Sequence, residues 1–420
     1  MRINIAAQLH ILLFSTLISL CSSGVSAVDF NVSGFGTLGY AVSDQDSRYL
    51  RFIDKGGTLK TDTLFGVQAE AQFNPQWSAT VQAVASASLD SDKGQEVNVR
   101  WAFVSFRPDN DWLLRVGRLR PPFFIHSQNA EVGVTYDQVR LPAEVYNLSP
   151  IYDFDGGSVT KTWALENAEL NLDAYWGKSD TAQRFFQRDA RLVNYEAVKV
   201  ESSGLILSYT TDALLLRGGA HLGNVERKNG QPFVDTFSPT PIPAPPPFGG
   251  TLYQPSGSPL KIGFTVLTLG GDWRIGDWRI TGEYGQRIIT DTKIGAGSKS
   301  AYVTVARQIG KWTPYMTQAR LLSDSDTREL YQAVNGTPVP LAVQGPPQPL
   351  PANLHRILAD NIIVYDQYST MLGASYSFSP TSKAKFEWMR TRIGLASSLV
   401  DGDIRNRQTN VFSVSYSVAF

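Results

Sequence analysis

Cysteine, histidine and charge are all scarce in this 420-residue sequence, which has one cysteine, four histidines and 18% charged residues. With Cys21 alone the chain can form neither an internal disulfide nor a site of several thiolates, which excludes a disulfide-rich scaffold. The 38 basic residues are balanced by 38 acidic residues, so the composition gives no support to a nucleic-acid partner.

Long apolar runs are also missing. No segment after the N-terminal region approaches the roughly 20 consecutive apolar residues that a membrane-spanning helix needs. The short run 11–20 follows Arg2 and precedes the small residues Val25-Ser26-Ala27, a pattern that predicts a secretory signal peptide over residues 1–27. Its removal would leave 37 basic and 38 acidic residues, a net charge of −1, and no cysteine.

Catalytic and cofactor motifs are absent or misplaced. The sequence contains no G-x-S-x-G, Walker or H-E-x-x-H motif, and His126, His221 and His355 are far apart. The segment 34–39 has dinucleotide-binding spacing, but it lies in an apparent strand and a polar loop follows it. Asp153 and Asp155 lack the spacing of a calcium loop. We therefore predict no enzyme activity, no cofactor and no metal.

The mature region alternates apolar and polar residues with a period of two. In residues 65–73, Phe65, Val67, Ala69, Ala71 and Phe73 share one face, and the turn Asn74-Pro75-Gln76 follows at once. Many such segments have nine to thirteen residues, whereas strands of globular proteins average about 5–6 and membrane strands need about 9–11. We predict about 16 strands, although 14 or 18 also fit the pattern.

The connections between these strands alternate between short turns and long loops. The loops 226–259 and 324–361 are long and rich in glycine and proline, and we interpret the Pro-rich piece 238–247 as a stiff spacer. Tryptophans cluster beside the short turns, as in an interfacial girdle. These features predict an all-β fold, a transmembrane antiparallel up-and-down β-barrel over residues 28–420.

One interruption stands out at residues 118–157, which follow the fifth predicted strand and are too aromatic for a disordered linker. We predict an ordered third loop inserted into the barrel lumen. Charged side chains of this loop, together with two arginines of the preceding strands, are the candidate residues that line a constriction: Arg100, Arg115, Arg118, Arg120, Glu131, Asp137, Arg140, Glu144, Asp153 and Asp155.

Strict alternation also assigns side chains to faces. On the strand that begins near residue 96, it directs Asn98 and Arg100 inward and Val99, Trp101 and Phe103 outward. On later strands it directs a further polar set toward the lumen: Arg217, His221, Arg279, Glu283, Arg287, Gln318, Arg320, Lys385 and Glu387.

The last strand, 408–420, places Phe412, Val414, Tyr416, Val418 and Phe420 on one face. A terminal phenylalanine after alternating apolar residues resembles the signal by which outer-membrane barrels engage their assembly machinery. This implies the barrel assembly machinery as a partner and the Gram-negative outer membrane, with its lipid, as the location.

Three further segments carry a family resemblance: Trp101-Ala102-Phe103-Val104-Ser105-Phe106, then Leu113-Leu114-Arg115-Val116-Gly117-Arg118 and its long third loop, and Gly310-Lys311-Trp312-Thr313-Pro314-Tyr315. Together they resemble the general porins of Gram-negative outer membranes. The resemblance implies a 16-stranded homotrimeric channel for passive diffusion of small hydrophilic solutes and ions. Arg120-Pro121-Pro122-Phe123-Phe124 departs from the acidic Pro-Glu-Phe-Gly-Gly element of many porin loops. A channel specific for a sugar, phosphate or organic acid, and a structural or adhesion protein, remain alternatives.

Overall fold

The computed structural model describes residues 28–149, 151–346, 349–402 and 407–420. The predicted signal peptide, 1–27, lies outside the described residues. Sixteen strands form the main sheet: β1 Asp29–Ser43, β2 Leu64–Gln72, β3 Trp77–Ala87, β4 Gln95–Phe106, β5 Trp112–Leu119, β6 Phe154–Ala164, β7 Glu169–Gln187, β8 Leu192–Thr210, β9 Leu214–Arg227, β10 Lys261–Ile275, β11 Trp278–Ile289, β12 Ser298–Arg307, β13 Trp312–Ser323, β14 Tyr365–Ser379, β15 Ser382–Ser397 and β16 Gln408–Ala419.

Each strand pairs antiparallel with its sequence neighbours, and β1 also pairs with β16, which closes the barrel. The closing ladder runs from Phe35 opposite Ala419 to Ser43 opposite Val411. Gly34 and Phe420 extend it with two backbone hydrogen bonds of 2.8 and 2.9 Å. The prediction of a 16-stranded up-and-down barrel is confirmed, and closure leaves no strand edge of the main sheet unpaired.

The two faces of the wall differ in polarity. The outer face exposes apolar side chains such as Leu38, Val97, Leu269 and Phe412, while the inner face carries hydroxyl, amide and charged groups. Aromatic residues gather at the short-turn end, where Trp77 contacts Phe106 and Trp312 contacts Tyr376 with ring centroids 4.5 and 4.9 Å apart. An apolar outer band with an aromatic girdle is typical of a barrel surrounded by lipid. Within the described residues, no helix is long and apolar enough to cross a membrane.

A β-bulge at Arg100 changes the faces of β4. Val99 lies opposite Ala83 and Trp101 lies opposite Gln82, so Arg100 is one extra residue in the ladder. Beyond the bulge, Trp101 and Phe103 share the inner face with Gln82 and Thr80, and the prediction that they face outward is wrong.

Two residues on β13 also differ from the expectation. Gln318 and Arg320 share the face of Met316, which is 45% exposed on the outside of the barrel. The prediction that they face the lumen is therefore wrong, because polar residues also occur on the outer face near the loop end.

The long loops at the other end carry structure of their own. Residues Thr236–Ile242 and Gly250–Ser256 form a two-stranded hairpin, so the Pro-rich piece is partly a paired strand and not only a spacer. The loop between β13 and β14 contains two helices, Ser325–Gly336 and Leu354–Ala359. Phe237 of the hairpin packs in one apolar cluster with Tyr331 and Leu358 of these helices.

The hairpin of β7 and β8 reaches across the loop end of the barrel. Both strands have 19 residues, longer than any other strand of the main sheet. Arg184 near the tip bonds Asp92 in the loop after β3 and Asp401 in the loop after β15, at 2.7 Å each. The backbone N–H of Arg188 donates to Asp360 in the loop after β13 at 2.9 Å. Because β7 and β15 are eight positions apart in a ring of sixteen, this hairpin spans the mouth.

Candidate functional site

The segment between β5 and β6, residues 120–153, turns inward and forms an inserted loop. The side-chain amide of Gln138 donates a hydrogen bond to the hydroxyl of Thr304 on β12 at 3.1 Å. The backbone carbonyl of Gln138 accepts a hydrogen bond from Lys385 Nζ of β15 at 2.8 Å. Arg217 of β9 donates to the carbonyl of Pro122 at 2.6 Å. Since β9, β12 and β15 occupy separate parts of the wall, the loop crosses the interior, as predicted for a third loop inserted into the barrel.

Apolar packing orders this loop. Phe123, Phe124, Val145 and Leu148 are almost completely buried. The ring of Phe123 stacks on His221 of β9 with centroids 4.2 Å apart. Full burial of one such side chain contributes about 1.5–3 kcal/mol. The loop therefore has a small core of its own, which explains why an interruption this long is not an extended linker.

A buried ionic cluster joins the loop to the bulge in β4. Arg100 Nε donates to Glu131 at 3.1 Å, its Nη1 lies 3.5 Å from Asp153, and Arg120 binds the second oxygen of Glu131. Arg100 is only 2% exposed. Burial raises the pKa of Glu131, but Arg120 and Arg100 outweigh burial and hold that pKa below its usual value. For Asp153 burial prevails and its pKa is raised. Four of the predicted residues thus form one cluster.

A second set of contacts fastens the loop to the wall around β14–β16. Arg140 makes a bidentate contact with Asp62, just before β2, at 2.6 and 3.0 Å, and it also donates to Ser413 of β16. Asp137 accepts Lys383 Nζ of β15 at 2.8 Å and Ser375 of β14 at 2.7 Å. These predicted loop residues are therefore paired across the interior.

Glu144 completes this attachment. The side chain is fully buried and accepts hydrogen bonds from Gln367, at 2.8 Å, and from Ser369 of β14. A buried carboxylate without such donors would carry a large desolvation cost. Both donors bond Oε1, whereas Oε2 is buried without a hydrogen-bond partner among the described residues, so the loop–wall contact satisfies one of the two oxygens.

Glu283 on β11 was not among the candidate constriction residues, although alternation directs it inward. It accepts the backbone N–H of Ile125 and the hydroxyl of Tyr146, both at 2.7 Å, and the hydroxyl of Tyr302 at 2.8 Å. Asp62 and Lys383 were missed as well. The only sequence signal for these partners is their inward or turn position, which does not say which inward group meets the loop.

Two predicted residues lie on the opposite face. Arg118 and Asp155 are directly opposed on β5 and β6 and form a bidentate pair at 2.8 Å. They share the outer face with Val116, which is 69% exposed. The prediction that Arg118 and Asp155 line the lumen is therefore corrected, because the inward turn of the loop begins only after Leu119.

Two inward arginines face the loop without a carboxylate partner. Arg115 of β5 lies on the face of Phe103, with its guanidinium carbon 5.6 Å from that ring. In the described part of the chain, no carboxylate oxygen lies within 4.0 Å of the guanidinium nitrogens of Arg115 or Arg217. The Nε atoms of both lack a hydrogen-bond acceptor. Neither arginine therefore has a direct carboxylate partner, although the carboxylate of Asp173 on β7 acts on both through space.

A cavity opens where β5 and β6 end below their neighbours. Its volume is about 720 Å³, and its lining includes Arg100, Arg118, Asp153, Asp155 and Lys178. The shortened strands create this space because the chain that would continue the wall turns inward as the loop. The cavity therefore has a mixed charge, with the ionic cluster at its inner side.

Acid should release part of the loop. Burial raises the pKa values of Glu131 and Asp137, but the arginines and Lys383 outweigh burial and lower both. Their stabilising contribution is therefore present above the unfolded-state pKa values, about 4.3 and 3.9, and is lost as pH falls through the folded values. A spin label on Gln128→Cys should be immobile at pH 7 and mobile well below about pH 4. A label on the turn, Asn110→Cys, serves as the control; equal mobility of the loop label at both pH values contradicts the prediction.

The described residues contain no group of three or more histidine, cysteine or acidic side chains placed to hold a metal ion. His126 is buried beside Tyr136, with ring centroids 5.9 Å apart. Burial, assisted by Arg279, lowers the pKa of His126 to about 4. At neutral pH its imidazole is uncharged and belongs to the loop packing.

No protein-family model and no curated protein sequence matches the chain. Solved structures do. OmpT of Vibrio cholerae in a trimer form aligns with a TM-score of 0.51 at 12% identity, over 94% of this chain and 100% of that chain. OmpF of Salmonella typhi in complex with daunomycin aligns with a TM-score of 0.52 at 11% identity, over 93% of this chain and 97% of that chain. OprB of Pseudomonas putida gives 0.50 at 10% identity, over 97% of each chain.

At these identities the likeness concerns the fold. It extends over nearly the whole length of each protein, and it agrees with the closed ring of sixteen strands. The chain therefore has the fold of a porin-like transmembrane β-barrel.

Proposed function

We propose that the chain forms a water-filled channel through which small hydrophilic solutes and ions diffuse passively, without catalysis. A barrel of about 16 strands is wide enough to leave an aqueous lumen. The inserted loop narrows that lumen, so the inward part of segment 118–157, residues 120–153, acts as the constriction loop, while loops 226–259 and 324–361 face the exterior.

The distribution of charge inside the barrel carries this proposal. Asp137, Arg140 and Glu144 are bonded to the β14–β16 side, and Glu131 and Asp153 neutralise Arg100 and Arg120. Within the described ranges, Arg115 and Arg217 remain without carboxylate partners on the opposite side. Unpaired charge beside a water-filled path sets ion preference. The loop residues thus position the constriction, and the two arginines favour anions in it.

Measurement of ion selectivity tests this assignment. In planar bilayers the wild-type channel should prefer anions, and the double variant Arg115→Gln/Arg217→Gln should shift the reversal potential toward cation preference. Arg320→Gln, on the outer face of β13 beside the exposed Met316, is the control and should leave the reversal potential unchanged. An unchanged potential in the double variant, or an equal shift in the control, contradicts the assignment. The absence of any conductance contradicts the channel and favours a structural or adhesion role.

A substrate-specific channel is the second candidate, and the same two arginines favour it for an anionic solute, phosphate or an organic acid, over a sugar. Such a channel binds its solute, so its conductance shows a block that saturates with solute concentration. A general diffusion channel shows no saturation. Titration of single-channel current with phosphate, a dicarboxylate and a neutral sugar distinguishes the two.

The assembly also belongs to the proposal. We propose a homotrimer embedded in outer-membrane lipid, supported by the trimer form of OmpT among the structural neighbours. The alternating C-terminal strand that ends at Phe420 serves recognition by the barrel assembly machinery, and residues 1–27 direct export as a signal peptide. Crosslinking of the detergent-solubilised protein measures the number of protomers.

A further inference from the structure

The outer face of the barrel carries charged side chains near the loop end, and they are arranged differently on two sides. On β5–β10 the cations have carboxylates beside them. The pairs are Arg118 with Asp155 at 2.8 Å, Lys178 with Glu201 at 3.8 Å, Lys228 with Asp180 at 3.1 Å and Lys261 with Glu226 at 3.5 Å. Lys199 lies directly opposite Asp180 and Glu226 in its two ladders. On the β5–β10 side, each of these cations therefore has a carboxylate of the same chain beside it.

On β12–β15 four outer cations have no carboxylate that the structure describes within ion-pair distance and none directly opposite in their ladders. Lys299, Arg320, Arg390 and Arg392 share their faces with exposed apolar residues such as Val303. Among the described residues, no carboxylate oxygen lies within 4.0 Å of a side-chain nitrogen of these four. The hydrogen bonds that two of them make are to neutral groups: Arg392 donates to the hydroxyl of Tyr368 and Arg390 to the amide oxygen of Gln408, both at 2.6 Å.

Two carboxylates near this surface are engaged by other groups. Asp366 accepts the backbone N–H of Leu395 at 2.8 Å, and Asp44 accepts the backbone and side-chain N–H groups of Asn410 at 2.9 and 2.7 Å. The four cations therefore form a patch of positive charge, which we call the outer cationic patch. No carboxylate of the described residues forms an ion pair with the patch, so its cations are free to bind anions from outside the chain.

Strand register brings the members of the patch close together. Arg320 lies opposite Tyr368, and Tyr368 lies opposite Arg392, so the two arginines are two strand spacings apart, about 10 Å. Lys299 lies opposite Leu322, which places it diagonally from Arg320 at about 7–8 Å. Arg390 and Arg392 are two residues apart on one strand. This spacing suits a headgroup that presents more than one anionic group.

The depth of the patch indicates what meets it. Arg320 is eight residues from the girdle residue Trp312, which corresponds to about 21 Å along the membrane normal for a strand tilted by about 40°. The apolar band of such barrels is about 25 Å tall. The patch therefore lies at the interface on the loop side, beside lipid headgroups, where each lysine or arginine gains energy from anionic lipid.

We propose that the outer cationic patch binds the phosphate groups of lipid headgroups in the outer leaflet, with Arg320 and Arg392 as the principal ligands. Guanidinium groups bind phosphate with two parallel hydrogen bonds, and the hydroxyl of Tyr368 between them holds Arg392 in place. The surface selects lipids that carry phosphate over lipids of the same acyl composition without it. This selection is independent of transport through the lumen.

Lipid binding by the full-length folded barrel, measured by native mass spectrometry, tests the proposal. The probes are a diphosphorylated disaccharide glycolipid and the same glycolipid without phosphates. The wild type should bind the phosphorylated lipid more tightly, and Arg320→Gln/Arg392→Gln should weaken that binding about 30-fold, the equivalent of about 1 kcal/mol for each arginine. Binding of the phosphate-free lipid should not change.

Lys178→Gln/Lys261→Gln removes two cations from the paired side of the same outer surface and is the matched control, which should retain binding. Excess inorganic phosphate should displace little lipid, because the acyl chains contribute to binding. Equal binding of both lipids by the wild type overturns the proposal, as does an equal loss in the control. Complete displacement by inorganic phosphate would show a site for the free ion and would also overturn it. Heat-modifiable gel mobility verifies that each variant is folded.

Discussion

Glu131→Gln should destabilise the inserted loop by about 3–5 kcal/mol, the usual cost of removing one partner from a buried ion pair. The substitution removes the negative charge that compensates both Arg100 and Arg120, and Arg100 has almost no contact with solvent. Asp153 alone, at 3.5 Å from Arg100, cannot neutralise two guanidinium groups. Urea unfolding in detergent and limited proteolysis of the loop measure the loss.

Two variants provide the comparison for this result. Glu201→Gln removes a carboxylate from an outer pair with Lys178 that is 3.8 Å long and largely exposed, and it should cost at most about 1 kcal/mol. The double variant Glu131→Gln/Arg120→Gln should recover part of the stability, because Arg100 then no longer shares Asp153, 3.5 Å away, with a second guanidinium group. A Glu131→Gln variant as stable as the Glu201→Gln variant would show that the cluster is hydrated and not buried.

Shortening the inserted loop should increase single-channel conductance several-fold. Replacement of residues 123–148 by a short glycine–serine linker removes the buried segment that crosses the lumen, including the contacts of Asp137, Arg140 and Glu144 with the wall. The inward groups left behind, such as Lys385 on β15 and Glu283 on β11, would face water in a wider lumen. Recordings of single channels in planar bilayers measure the change.

The control for this change is removal of the tip of the external hairpin, residues 243–249, which lies outside the wall of the barrel proper. That deletion should change conductance little, because it leaves the inserted loop and its attachments intact. Heat-modifiable gel mobility verifies that both shortened chains still form closed barrels. A folded chain without residues 123–148 that conducts no more than the wild type would show that the narrowest point lies elsewhere.

Much of the fold follows from the sequence because the period of two is strong. Alternation and short turns predict the number of strands and their approximate starts, and the forty-residue interruption locates the inserted loop. Whether a single side chain faces the lumen or the outside is harder to predict from the sequence. One extra residue at Arg100 reverses Trp101 and Phe103, and no local pattern in β4 marks that bulge.

The partners of the loop could not be predicted for a different reason. Arg140 meets Asp62, and Asp137 meets Lys383, across sequence separations of 78 and 246 residues. Alternation predicts the face of a residue but not its height or its position around the ring, so it cannot select one inward partner from many. The outward position of Arg118 and Asp155 depends likewise on where the chain leaves the wall, after Leu119.

The hairpin of β7 and β8 has a consequence for the order of biogenesis. Its Arg184 binds Asp401, which lies between the last two strands, and Asp401 also belongs to the short ladder that joins Val400 and Asp401 to Arg48 and Tyr49. The contacts of the β7–β8 hairpin across the loop end of the barrel therefore form only after the last strands of the chain are in place. A surface protease that cuts this hairpin would distinguish nascent barrels from finished ones.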